Sequence, residues 1–165
     1  MSYPMEDQPV DPMPTKPGGS GLGAASIGMP MTYRIARNGA RPLHFKGSEL
    51  AMAMSYTPEL PYWYEVNLYR TSDAEFVVAI RLFHQSEEQT DTVEAWRFPS
   101  LEQALEVVET YDPAHDVTFF VPSEFGDTPA SELAARALDL QWRISAARRH
   151  YQGLVGELLS ELDVA

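Results

Sequence analysis

The residues in this chain best suited to chemistry are a histidine and its neighbouring carboxylates. His115 is followed by Asp116 and preceded three positions earlier by Asp112. An imidazole beside carboxylates can act as a general base with an orienting acid, or as a ligand with its hydrogen-bond partner. Adjacent His-Asp pairs are also ordinary loop residues, and no further catalytic motif accompanies this one. The other histidines, His44, His84 and His150, have no metal-ligand spacing. Glu87, Glu88 and Asp91 cluster in a polar stretch that could offer oxygens to a divalent cation, but the spacing and glycine of a calcium loop are missing, and a solvated turn accounts for them. The run "GGSGLGAAS" has spaced glycines without the Lys-Ser/Thr end or the preceding strand of a phosphate loop, so it reads as a linker.

Aromatic side chains are the richer resource. Tyr62, Trp63, Tyr64, Tyr69, Phe76, Phe83, Trp96 and Phe98 all fall on expected strands. Sheet aromatics can stack nucleobases, but here the flanking charge is acidic. The formal net charge is -12 and the pI about 4.6, which repels phosphate backbones and disfavours direct nucleic-acid binding. A basic protein partner would be attracted instead. The charge is uneven. Arg34, Arg37, Arg41 and Lys46 form a basic start, and the stretch from Asp73 to Asp116 holds eleven acids against Arg81 and Arg97. Arg136, Arg143, Arg148 and Arg149 lie in a basic segment near the C-terminus.

Cysteine is absent, which excludes disulfides, thiolate metal sites and a cysteine nucleophile. No apolar run approaches the ~18 residues of a membrane span. The first residues carry acids and prolines where a signal peptide would need a basic start and an apolar core. These features predict a cytoplasmic protein with no membrane association and no cofactor.

The elements that position the aromatics follow from periodicity. Residues 1–31 are rich in proline, glycine and small polar residues without an amphipathic face, and predict a disordered arm. An α+β domain is expected over 32–125. Asn38-Gly39 marks a tight turn between two short strands, and "SELAMAMSYTP" is read as a further strand. "YWYEVNLYRT" (62–71), "EFVVAIRLFHQ" (75–85) and "TVEAWRF" (92–98) each alternate, with short polar links, so they form an antiparallel meander. Tyr62, Tyr64, Val66 and Leu68 share one face with Phe76, Val78, Ile80 and Leu82. The opposite face, holding Trp63 and Tyr69, mixes aromatics with charge and is expected to be half open to water or a partner. Ser100 with Gln103 forms a capping box that starts a helix ending at Asp112-Pro113, and that helix should cover the apolar sheet face. "DVTFFVP" (116–122) is read as one more short strand.

The last segment, 126–165, predicts one long helix. Thr128 and Pro129 can start it. Leu133, Ala137, Leu140, Ile144, Ala147, Tyr151, Leu154 and Leu158 repeat with heptad spacing. A helix of ~34 residues is roughly 51 Å long, whereas the 90 residues of 32–121 make a body about 30 Å across. The far end, with Leu154, Val155, Leu158 and Leu162, would then overhang unless Gly153 and Gly156 bend it back or another surface covers it.

The fold class is therefore α+β: an antiparallel meander, one capped covering helix and a long C-terminal helix after a disordered arm. The favoured function is a non-enzymatic interaction module, an adaptor or accessory subunit docking on another protein. Leu140, Ile144, Tyr151, Leu154 and Leu158 of the helix and Trp63 and Tyr69 of the sheet would make the contact. Homodimerisation through the helix could accompany it. Two alternatives are an acidic nucleic-acid mimic that occupies a basic DNA- or RNA-binding protein, and a small-ligand protein or enzyme using His115 and nearby acids.

Overall fold

A computed structural model describes residues 29–58, 60–118 and 128–164. Five antiparallel strands run in sequence order: β1 (Met31–Arg37), β2 (Ala40–Met54), β3 (Tyr62–Thr71), β4 (Phe76–His84) and β5 (Thr92–Phe98). Helix α1 (Leu101–Thr110), a 3₁₀ turn (Pro113–Asp116) and helix α2 (Ala130–Val164) follow. The α+β class and the meander thus appear as the sequence predicts. Residues 1–28 lie outside the described residues, as does most of the strand expected at 116–122. Asp116 itself closes the 3₁₀ turn, because Asp112 caps that turn through Ala114 N (3.0 Å) and Pro113 suits its first position.

Local chemistry explains each junction. Gly39 takes φ 66° in the β1–β2 turn, a conformation that favours glycine. β2 is fifteen residues long and serves two partners, pairing with β1 through Gly47 and with β3 from Gly47 onward, with a bulge between Glu49 and Ala51. At Gly47 the neighbouring strand approaches so closely that a Cβ would lie 2.2 Å from Arg70 O. Ser100 caps α1, accepting from Gln103 N at 3.3 Å, and Ala104 and Val108 are its buried residues; Leu101, expected on the same face, stays at the surface.

Alternation along β3 and β4 builds two apolar clusters, one on each face. On the helix side, Tyr64, Val66, Leu68, Val78, Ile80 and Leu82 pack with Ala104 and Val108 of α1 and with Tyr151, Leu154 and Leu158 of α2. On the other side, Tyr69, Val77 and Ala79 pack with Ile35, Phe45 and Ala95. That second face was expected to lie half open. It is instead largely closed, because the sheet curls until the β1–β2 hairpin meets β5. Asn38 N donates to Val93 O (2.9 Å), Val93 N donates to Asn38 Oδ1 (2.7 Å), and Arg97 Nη2 donates to His44 O (3.1 Å). Charge enters this face only in paired form: Arg81 bonds Glu65 (2.6 Å) and Asn67, and Asn67 bonds Glu49 (2.8 Å).

Helix α2 is continuous for 35 residues, about 52 Å. The expected overhang at its far end is corrected. Tyr151, Leu154 and Leu158 are 0–2% exposed and belong to the chain's own core. Gly153 and Gly156 do not break the helix; both face open space, and the flanking apolar residues hold the helix on β2 and β3. The uncovered half is the other one, since no residue in 130–145 is buried.

Two opposite stability effects follow. Leu158→Ala should destabilise the protein by ~2–5 kcal/mol, through lost burial and the cavity left behind. Gly153→Ala and Gly156→Ala should each stabilise it by about 0.5–1 kcal/mol, because a methyl group there meets nothing and the unfolded chain loses freedom. Urea unfolding curves of the three variants test both signs; a destabilising Gly→Ala change would mean that the helix bends at those positions.

Candidate functional site

A concavity lies between the ends of β3 and β4, the 3₁₀ turn and the middle of α2. Its volume is about 290 Å³. Tyr62, Leu82, Leu60, Ala146 and Ala147 make apolar walls, Trp142 stands at its edge, and His84, Asp116 and Arg143 supply the polar atoms.

Tyr62 and Tyr64 form its floor and belong to a tyrosine cluster whose other members, Tyr111 and Tyr151, border a second hollow beside Arg148. Tyr62 and Tyr64 lie on one face of β3 by the strand's two-residue period, their rings 6.2 Å apart and nearly perpendicular. Tyr64 meets Tyr151 of α2 edge-on at 5.4 Å, and Tyr151 meets Tyr111 at 5.1 Å. The phenols of Tyr64 and Tyr111 both donate to Asp116 Oδ2 at 2.8 Å, and Tyr151 Oη donates to Val108 O at 2.9 Å. Burial first, and then the Asp116 charge, pushes the Tyr64 phenol far above its ordinary value. For Tyr111 burial leads, followed by the hydrogen bond to Asp116; for Tyr151 burial leads again.

The elements around the floor are tied together by arginines. Arg148 grips Asp112 with two bonds (2.6 and 3.0 Å), which holds the Asp112 carboxyl down at about 2. Arg143 Nη1 donates to Thr118 O (3.0 Å), and its Nε lies 3.0 Å from Asp139. These pairs, with Arg97 on Glu75 (3.2 Å) and Arg81 on Glu65, show that part of the acidic middle is paired within the chain.

The sequence-predicted site residues fall in different places. Leu140 and Ile144 are half-buried on the first half of α2. Tyr151, Leu154 and Leu158 are buried under the sheet. Tyr69 is also a core residue, 4% exposed, corrected from the open face by the curl of the sheet. Its phenol is pushed up to about 12, chiefly by burial. Trp63 is half-buried and stacks on Phe83 at 5.4 Å, with Tyr56 edge-on at 5.3 Å. His115 is exposed, packs against the Tyr111 ring at 4.9 Å and lies 3.7 Å from Asp116 Oδ1. The Asp116 carboxylate serves chiefly as acceptor for two phenols. Among the described residues no three His, Asp or Glu side chains converge as a metal site, and no helix is long and apolar enough to cross a membrane.

Two residues absent from the expected set are conspicuous. Leu138 and Trp142, one helical turn apart, are 67% and 62% exposed. Both lie off the heptad stripe. The available signal was the placement of a tryptophan on the polar side of a helix that has a well-marked apolar side. No known protein family, curated protein or solved structure matches the chain.

Alkaline titration tests the tyrosine cluster. The folded-state phenols of Tyr64, Tyr111 and Tyr151 lie above the ordinary 10.0, so the folded protein keeps protons that the unfolded chain releases. Their contribution is complete below pH 10 and is lost as pH rises toward the folded values. Tyrosinate absorbance should therefore show these rings ionising only together with unfolding. Reversible titration of all eight tyrosines near pH 10 with tertiary structure retained would refute the arrangement.

Proposed function

We propose that the protein is a non-enzymatic interaction module that docks on another protein through the first half of α2 and the adjoining aromatic cavity. The observation that carries this reading is the exposed Leu138–Trp142 pair, with Trp142 lining an apolar hollow, on a helix whose second half packs its apolar stripe into the chain's own core. Large apolar side chains left in water forgo roughly 1.5–3 kcal/mol each, which contact with a partner would recover. Tryptophan is among the residues most enriched at interaction hot spots. Leu140 and Ile144 lie on the opposite side of the same half-helix, about 200° around from Leu138 and Trp142, and do not share that contact. Trp63 and Phe83 remain on the far side of the sheet and are not needed for it.

The partner's matching element is an apolar segment, because the polar groups beside Trp142 are balanced: Arg143 is matched by Asp139, and Arg136 by Glu132 at 2.6 Å. The nucleic-acid mimic would instead use the carboxylates of 73–116, and its binding would fall steeply with salt. An apolar partner segment also gives the cavity a role without invoking His115.

Affinity capture from the native source, compared between wild type and Trp142→Ala, tests the reading. The variant should retain the wild-type melting temperature, since the side chain is outside the core, and lose the captured partner by tenfold or more. Capture should change little between low and high salt. A partner retained by Trp142→Ala and lost on raising salt would replace this proposal with the acidic mimic.

A further inference from the structure

A second surface, separate from the one above, is the open edge of β2. Beyond Gly47 this strand has β3 on one side and no strand on the other among the described residues, since β1 begins at Met31 opposite Gly47. Ser55 N donates inward to Tyr64 O (2.9 Å), whereas Met52 N points the other way, to Glu161 Oε2 (3.3 Å). Strand alternation then directs the N–H and C=O of Met54 outward as well. The Met52 and Met54 side chains are 37% and 41% exposed, and Tyr56, on the same face, is 55% exposed. Exposed edges are commonly blunted by lysine, by proline or by a charge pointing inward. Residues 50–57 carry no charge, and the guard is one carboxylate reaching in from α2.

We propose that this edge pairs with the same edge of a second copy, joining two five-stranded sheets about a twofold axis. The segment is self-complementary. An antiparallel pairing centred on Ala53 sets Met52 opposite Met54 of the second copy and Met54 opposite Met52 of the second copy. In that register each outward N–H meets an outward C=O. The methionine side chains then form one apolar ladder on a common face. The run is uncharged although each chain carries -12, so no like charges meet in the ladder while the bodies as wholes repel. Salt should therefore strengthen the dimer, the reverse of what a basic partner would show. Glu161 competes for the Met52 N–H and weakens association. Glu161 and Trp142 are nineteen residues apart on α2, about 28 Å along the helix, so partner docking and self-pairing use different ends.

Light scattering on the size-separated full chain at ~100 µM, with amide exchange of Met52 and Met54, tests the pairing. Wild type should approach twice 18.5 kDa in high salt and fall toward 18.5 kDa in low salt. Met54→Lys, at a side chain 41% exposed, should be monomeric with an unchanged melting temperature. Glu161→Gln should tighten the dimer several-fold. In the dimer the Met54 amide should exchange at least tenfold more slowly than in the monomer. A wild type that stays monomeric in high salt overturns the proposal. So does a monomer whose Met54 amide is already protected, which would mean that another part of this chain occupies the edge. A dimer that survives Met54→Lys but dissociates with Trp142→Ala would move self-association to α2 and leave the edge unassigned.

Discussion

The two-residue period of β3 and β4 is the constraint on which the rest of the structure depends. Both strands carry apolar side chains on both faces, and each face is used. One set of side chains, Val66, Leu68, Val78 and Ile80, meets the helices, and the other, Tyr69, Val77 and Ala79, meets the curled ends of the same sheet. A slip of one residue would exchange the two sets. It would also carry Arg81, which lies directly opposite Glu65, to the helix side, into the apolar place that Ile80 and Leu82 now fill. A charge without its partners there is costly enough to exclude that register. The polar trio of Arg81, Glu65 and Asn67 therefore discriminates between alignments that the apolar residues alone would distinguish less sharply.

The long helix divides into two halves with different surroundings. Its second half is an internal element, as necessary to the sheet as α1. Its first half, with Leu138 and Trp142 in water and Arg143 bound to the Thr118 carbonyl, borders the hollow floored by tyrosines. The junction falls at Ala146 and Ala147, whose small side chains are buried and let the helix approach the sheet. The heptad stripe runs through both halves without marking this change, because an ideal helix drifts about 20° per heptad relative to a strict seven-residue repeat.

Most of the architecture was legible in the residues. The hairpin at Asn38-Gly39, the three alternating strands, the Ser100 cap and a long final helix all rest on short-range signals, and all appear, whereas the continuity of that helix through Gly153 and Gly156 was open in the sequence. The curl of the sheet was not legible, since it depends on the meeting of Asn38 with Val93 across 55 positions. That one closure turned Tyr69 from an expected surface residue into a core residue. The direction in which α2 lies on the sheet was equally hidden. Periodicity reports that a stripe is buried, not which end of a rod meets its own domain. Periodicity alone therefore offers Tyr151, Leu154 and Leu158 to a partner although the chain itself covers them, and passes over Trp142, which lies off the stripe.

The packing of α2 on the sheet has a consequence for how the protein is made. The meander and α1 are complete by residue 110, yet their shared apolar face gains its cover only when residues 146–162 have been synthesised. At the usual ~5–20 residues per second, the ribosome leaves Val66, Leu68 and Ile80 unshielded for seconds. During that interval the nascent chain resembles a sticky half-sandwich, suited to a holding chaperone, and a stalled or truncated product would join the insoluble fraction of the cell rather than persist as a smaller version of the protein.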